Sequence, residues 1–352
     1  MHVGILTGGG DCPGLNAVIR AVTLALVNEA GARVTGIERG FEGLLTQRTR
    51  ALDVRAVEGL LAQGGTVLGT HNRCNPFEDI AAGGADRSAV AMASARDLGL
   101  DALVAIGGDG TMSIANRFSA LGLPVVGVPK TIDNDLVHND RSFGFDSAVV
   151  VVAEALDRLE TTARSHRRVL IAETMGRYAG WIALEGGIAG GADVILLPEL
   201  PVDVDAVAEH CRARERDQGY TLICIGEGVP LQGSLVVRER IADSPDPLRL
   251  GGVGVLLQHE LSRRLSTEVR CTVLGHVQRG GSPTAFDRVL ATRFGYHAAQ
   301  LVRRGEFGRM VALQCDRIDS VPIGDVADRS RTVPPEHALL ATARGIGVML
   351  GS

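Results

Sequence analysis

Short, continuous apolar runs recur along this chain, and each gives way to a glycine-rich or polar turn before an amphipathic stretch begins. The runs are Val3–Thr7, Val34–Ile37, Ala102–Ile106, Val125–Val128, Val169–Ala172, Val194–Leu197, Leu222–Ile225 and Val269–Leu274. Helical spacing of apolar residues marks Ala17–Glu29, Ala85–Leu98, Thr111–Leu121, Phe145–Ser165 and Trp181–Ala189. A strand that is apolar throughout, rather than at alternate positions, is covered on both faces. Such strands alternating with helices specify an α/β fold with parallel sheets. Folds of this kind bind ligands beyond the C-terminal ends of their strands. Arg238–Gly252, with its Ser-Pro-Asp-Pro, breaks the alternation and is expected to be a loop.

Composition narrows the function classes. The chain has 352 residues, which at about 150 residues per domain means two domains or one large one. It is 45% hydrophobic and 22% charged, enough apolar material for a sizeable core. With 36 basic and 41 acidic residues the formal charge is −5, which argues against binding nucleic acid across a broad basic face. No apolar run approaches the length of a membrane span. The opening Met1–Gly14 has no basic region ahead of an apolar stretch, so no secretory signal is expected. The six cysteines are scattered without a CxxC pair, as expected for reduced thiols in a cytoplasmic protein. Glycine is in excess, 45 residues without a collagen-like period, which points to tight turns and close backbone approach to ligands. Of the 36 basic residues one is lysine, Lys130.

Five motifs carry chemistry. Thr7–Asn16 joins a strand to a helix, and its glycines let backbone N–H groups face a phosphate; Pro13 suits a helix start, where the dipole favours anions. Gly107–Thr111 again lies between a strand and a helix. There Gly108 and Gly110 bring the backbone close to a polyphosphate, and Asp109 can hold Mg²⁺ with phosphate oxygens or simply cap the helix. Pro129–Asp135 sets two carboxylates around an amide: Asp133 is placed to take a proton from an attacking hydroxyl, and Lys130 to neutralise phosphate as a point charge. Met175-Gly176-Arg177 and Arg270–Ser282 complete the set. A strand ending in His276 and Arg279 before a Gly-Gly turn makes a phosphate clamp, although arginines like these also serve in surface ion pairs.

Together the motifs resemble the 6-phosphofructokinases, in order from Val3 to about Leu313, with Thr131–Asp135 and Gly275–Pro283 the most specific strings. The pattern is similar to an actinobacterial-type subgroup that mixes features of the ATP- and pyrophosphate-dependent enzymes. The resemblance implies two doubly wound, mostly parallel α/β domains with the active site between them. It assigns 1–140 plus about 278–305 to nucleotide and about 141–277 plus 306–352 to the sugar phosphate. It implies ATP-dependent phosphorylation of fructose 6-phosphate at the 1-hydroxyl, a glycolytic step. By this resemblance ATP lies against Gly10, Arg73, Cys74, Gly108, Asp109, Gly110 and Thr111, with Asp109 on Mg²⁺. The sugar lies against Thr131, Asp133, Met175, Gly176, Arg177 and Glu227, and its 6-phosphate against Arg168, Arg270, His276 and Arg279. Asp133 is the implied base, with Arg177, Thr131 and Lys130 beside it. Arg168 and Arg270 are expected to reach in from a neighbouring subunit, implying a homotetramer or at least a homodimer, with neither nucleic acid nor membrane as partner.

Alternatives remain at this point: a pyrophosphate-dependent enzyme, a kinase for another ketose phosphate such as sedoheptulose 7-phosphate, a kinase of the NAD or lipid type, or a sensor without catalysis. Lys130 resembles the pyrophosphate users, which typically carry Asp where Gly110 stands. The family's basic inter-subunit effector site keeps Arg20 but meets Leu24, Glu160 and Gln218 where it elsewhere has basic residues. Weak control by phosphoenolpyruvate and ADP is the expectation.

Overall fold

All eight apolar runs form strands in a computed structural model of the chain, which describes residues 1–231, 233–240 and 248–352. The first elements are β1 His2–Thr7, α1 Leu15–Ala30, β2 Arg33–Ile37, α2 Phe41–Thr46, β3 Thr49–Leu52, α3 Ser88–Asp97, β4 Ala102–Gly107, α4 Asp109–Ala120 and β5 Val125–Pro129. The chain continues through α5 Phe145–His166, β6 Val169–Thr174, α6 Trp181–Ala189, β7 Val194–Leu196, α7 Val204–Asp217 and β8 Thr221–Gly226. Then come β9 Val237–Arg240, β10 Leu248–Leu250, α8 Val253–Ser262, β11 Val269–Val273, α9 Ala285–Arg304, β12 Arg309–Gln314, β13 Arg317–Pro322 and α10 Ala338–Gly345.

Two sheets organise these elements. The larger has seven strands in the order β13-β12-β5-β4-β1-β2-β3. It is parallel from β12 to β2, and its two outermost strands, β13 and β3, run antiparallel. The smaller, β11-β6-β8-β7, is parallel throughout. Every residue of β4, β5, β6 and β8 is buried, because helices cover both faces. On α1, Leu15, Val18, Ile19, Val22 and Leu26 recur at helical spacing and are fully buried. Each such side chain removed from water contributes about 1.5–3 kcal/mol before entropy is counted.

Three details differ from the sequence expectation. β12 hydrogen-bonds onto β5 in the larger sheet and β13 onto β12, although the expected division put 306–352 with the smaller one. The β5 partner of β12 lies some 180 residues upstream, beyond any local pattern. The expected loop at Arg238–Gly252 contains an antiparallel pair, β9 with β10, in which Arg249 stands opposite Glu239. Its remaining residues, 241–247, lie outside the described ones. Charged cross-strand pairs hold such a ribbon without the apolar alternation that would reveal it. Pro13, which suits a helix start, lies one residue before the cap of α1. Gly14, at φ 104°, makes the cap of α1, and Gly144, at φ 94°, makes that of α5. Both helix starts are closed against each other: a Cβ on Gly14 would come within 2.7 Å of Phe143, and one on Gly144 within 2.6 Å of the Cys12 sulfur. The open part of the first glycine loop is therefore Gly8–Asp11, not the helix end.

Among the described residues, no helix is long and apolar enough to cross a membrane.

Candidate active site

The C-terminal ends of β1, β4 and β5 bring three of the motifs together. Gly8 N–H donates to Ile106 O at 2.8 Å, and a Cβ on Gly8 would stand 2.6 Å from Thr111 Oγ1, so the two glycine loops touch. Lys130 locks them. Its backbone N–H donates to Gly107 O at 2.9 Å, and its Nζ donates to Gly10 O. This ammonium is 4% exposed, and burial lowers its pKa. An amine in that position is easily desolvated further by a ligand and gains most from an anion.

α4 begins at Asp109, and its first helical bond runs from Met112 N–H to Gly108 O. The amides of Asp109, Gly110 and Thr111 have no partner within the helix, so the helix presents donors and the positive end of its dipole. Asp109 is half-buried and Gly110 is exposed.

The Thr131–Asp135 turn is built by its own side chains. Asp133 N–H donates to Thr131 Oγ1 at 3.0 Å, and that hydroxyl donates to Asp135 Oδ1 at 3.0 Å. Asn134 sits at φ 52°, and its amide oxygen accepts Ser142 N–H at 3.0 Å. The Thr131 hydroxyl is thus committed to shaping the turn. Asp133 is 5% exposed, and among the described residues its buried Oδ1 has no hydrogen-bond partner. An orphaned carboxylate oxygen at a strand end is an acceptor prepared for a donor from a ligand. Asp135 is pushed up to about 7 by burial and then by the negative charges of Asp133 and Asp109.

The second sheet contributes the opposite bank. Arg177, at φ 52°, follows Gly176 at φ 140°, and its backbone N–H donates to Glu227 Oε1 at 3.1 Å. Glu227 is pushed up to about 7 by burial, with the charge of Asp133 adding to it. Met175 N–H donates to the buried Gln278 Oε1 at 3.3 Å, which joins the Arg177 loop to the turn carrying His276 and Arg279. His276 is exposed. Arg279 reaches back to the first glycine loop: its Nη1 donates to Asp11 O at 3.1 Å and would lie 3.0 Å from a Cβ on Gly10. Any side chain at Gly10 displaces Arg279.

Not every expected residue joins this cluster. Arg73 is exposed on a loop that Thr70 ties to Gly9 O at 2.5 Å and that His71 organises by accepting Cys74 N–H at 3.0 Å. The Cys74 side chain packs against the apolar cluster around Phe41 and Phe118, and burial pushes its thiol up to about 12. Its side chain serves the loop's packing, because a half-buried thiol is a small hydrophobe rather than a phosphate ligand. Arg168 and Arg270 stand at the opposite end of the smaller sheet. Arg168 precedes β6 while Met175 and Arg177 follow it, and six strand residues span about 20 Å. Both arginines pair with one carboxylate, Glu268, which bridges them. Within one chain they are remote from His276 and Arg279.

The carboxylates present fit a magnesium ion that arrives with phosphate. Among the described residues no group of three or more His, Cys, Asp or Glu side chains could hold a metal unaided. Mg²⁺ needs only one or two carboxylates when phosphate oxygens and water complete its shell, and half-buried Asp109 at a helix start is such a donor.

Glu268 falls outside every sequence motif, although it lies two residues from Arg270 and could be read as its charge partner. Gln278 and Asp11 fall inside the motifs, but their contacts join residues more than 100 positions apart and have no local signal.

Comparison with known proteins shows the family. The sequence model of a family described as phosphofructokinase matches residues 2–302. The chain is 49% identical over 343 residues to an ATP-dependent 6-phosphofructokinase 2 of Streptomyces coelicolor, covering 96% of this chain and 98% of that one. It is also 49% identical over 353 residues to a pyrophosphate–fructose 6-phosphate 1-phosphotransferase of the same organism, covering 100% of both. Among solved structures, that of phosphofructokinase from Saccharomyces cerevisiae aligns at a TM-score of 0.78 with 30% identity, over 92% of this chain and 45% of that longer one.

Proposed function

The chain belongs to the phosphofructokinase family and is a phosphotransferase acting on an alcohol group, and on that premise we propose that it uses ATP with Mg²⁺ to convert D-fructose 6-phosphate to fructose 1,6-bisphosphate. Relatives of equal identity are named for ATP and for pyrophosphate, so the donor must be argued from this chain's own residues. The observation that carries the choice is Gly110: it is exposed on the first turn of α4, and a Cβ there meets nothing within 4 Å. The space beside Asp109 is therefore open to a third phosphate and a nucleoside.

The mechanism follows from the two banks. Asp133 Oδ1 accepts the proton of the sugar's 1-hydroxyl as that oxygen attacks the terminal phosphorus. The bond from that phosphorus to the bridging oxygen breaks, and ADP leaves with the electron pair. Phosphoryl transfer is mostly positioning and charge neutralisation. Lys130 supplies a point charge between the glycine loops, and Arg177 a planar fork from the other bank. Asp109 would hold Mg²⁺, whose chemistry is to neutralise phosphate oxygens. Glu227, Met175 and Gly176 bound the sugar, while His276 and Arg279 face its 6-phosphate. Arg168 and Arg270, remote from their own cleft, act in that of a second copy, so the active form is at least a homodimer and, by family habit, a homotetramer. On this reading the larger sheet holds nucleotide and the smaller one sugar phosphate, in a cytoplasmic glycolytic enzyme.

A pyrophosphate-dependent reading is favoured by one observation, the buried Lys130 ammonium between the two phosphate loops. The deciding experiment is a matrix of donors and acceptors: ATP and pyrophosphate against fructose 6-phosphate and sedoheptulose 7-phosphate. The expected result is the highest kcat/KM with ATP and fructose 6-phosphate. Preference for pyrophosphate overturns the donor, and preference for the larger sugar overturns the acceptor.

A further inference from the structure

Residues 303–352 lie beyond the span matched by the family model, yet part of this segment is fastened to both banks of the cleft. Asp328 Oδ1 accepts Ser113 Oγ at 2.7 Å on α4. Three residues later Arg331 N–H donates to Asp135 O at 2.7 Å, on the turn that carries Asp133. The Arg331 Nη1 donates to Asn139 O at 2.9 Å and Asp140 O at 2.8 Å. The same guanidinium lies over the Trp181 ring, 4.3 Å from its centroid, and Trp181 Nε1 donates back to Arg331 O at 3.2 Å. Trp181 is the first residue of α6, the helix that starts four positions after Arg177. One residue thus grips the base's turn with its amide, the following loop through one guanidinium nitrogen, Nη1, and the Arg177 bank with its flat face. Arginine suits this task because its planar cation donates at its edge while stacking through its face.

We propose that Arg331 is a positioning residue for phosphoryl transfer, fixing the turn that carries Asp133 relative to the loop that carries Arg177. The proposal rests on the roles given above to those two residues. Its connection to the base is short: Asp135, whose carbonyl Arg331 binds, accepts the Thr131 hydroxyl, which in turn accepts Asp133 N–H. Reacting groups on opposite banks lose rate steeply when their spacing slips by about 1 Å. Sugar binding, made largely within each bank, loses less.

The test compares Arg331→Met and Arg331→Lys with the wild type, using whichever donor and sugar phosphate the wild type turns over best. A wrong choice of substrate then shows in the wild type, and a wrong role for Arg331 shows in the variants. Trp181 is the chain's one tryptophan, so its emission reports this contact directly. For Arg331→Met the expected results are a kcat about 10- to 100-fold lower, a KM for the sugar phosphate changed by less than about threefold, and shifted tryptophan emission. Arg331→Lys returns a cation to the ring without the planar group that donates from its edge to Asn139 O and Asp140 O while stacking, so emission recovers while kcat stays at least about fivefold low. If the Met variant does not fold, the Lys variant carries the test alone. Values of kcat within about twofold of wild type in the folded variants overturn the proposal, as does a loss of activity no larger than the loss of folded protein.

Discussion

Gly110→Asp probes donor choice at a position where the fold is least disturbed. A Cβ at 110 meets nothing within 4 Å, so the side chain enters open space. It enters on the first turn of α4, where a carboxylate gains about 0.3–1 kcal/mol from the helix dipole, offsetting part of any desolvation. The unfolding temperature should therefore stay close to that of the wild type. The effect on ATP is electrostatic. Two unit charges about 4 Å apart interact by about 4 kcal/mol at an effective dielectric of about 20, and by about 1 kcal/mol in bulk water. Position 110 is exposed, so an intermediate value of about 2 kcal/mol applies, equivalent to roughly 30-fold in rate or affinity. The α-phosphate of ATP meets this repulsion, and pyrophosphate, lacking that group, does not. Steady-state kinetics with both donors read the ratio directly. The expected result is a fall of about 30-fold or more in kcat/KM for ATP, with pyrophosphate use held or improved. A folded variant whose kcat/KM for ATP stays within about threefold of wild type refutes the reasoning, because the donor's α-phosphate cannot then lie beside residue 110.

Further outcomes follow from other parts of the cleft. Asp133→Asn should keep the fold and sugar binding while turnover falls by about 10²–10⁴, and near-normal turnover removes Asp133 from the role of base. Glu227 is raised by burial from 4.5 to about 7, so between those values the folded chain holds a proton that the unfolded chain has released. Its contribution to stability is full at low pH and declines as pH rises through that window. The unfolding temperature should drop from pH 5 to pH 8, and less so in Glu227→Gln; an equal drop in both contradicts the assignment. Millimolar phosphoenolpyruvate should barely move the fructose 6-phosphate saturation curve, since Arg20 shares its surface recess with Leu24 and Tyr296, and Glu160 is engaged by Tyr220 and Arg164. A strong sigmoidal shift abolished by Arg20→Ala overturns that expectation.

The parts legible in the sequence are those encoded locally. Buried parallel strands announce themselves as unbroken apolar runs, and the glycine loops stand where such runs end. Asp109, Lys130, Asp133 and Arg177 each follow such a run, so the sequence alone points to them as candidates. Other features are set by tertiary contact. β12 reads as a short apolar run, but nothing local says that it joins β5. Cys74 looks like a loop residue beside a phosphate site, yet the apolar cluster under that loop claims its side chain. Arg331 binds mainly backbone carbonyls, which carry no side-chain signature, at sequence separations of more than 190 residues.

The solitary lysine has a chemical consequence. Reagents that acylate lysine ordinarily find many sites on a protein of this size, but here the one lysine amine is that of Lys130. It is buried between the glycine loops with its nitrogen turned toward Gly10 O. A mass increment at residue 130 therefore reports solvent access to a single buried amine, read on the chain without an introduced label. Its rate, with and without substrate, compares how exposed that nitrogen becomes in the two states.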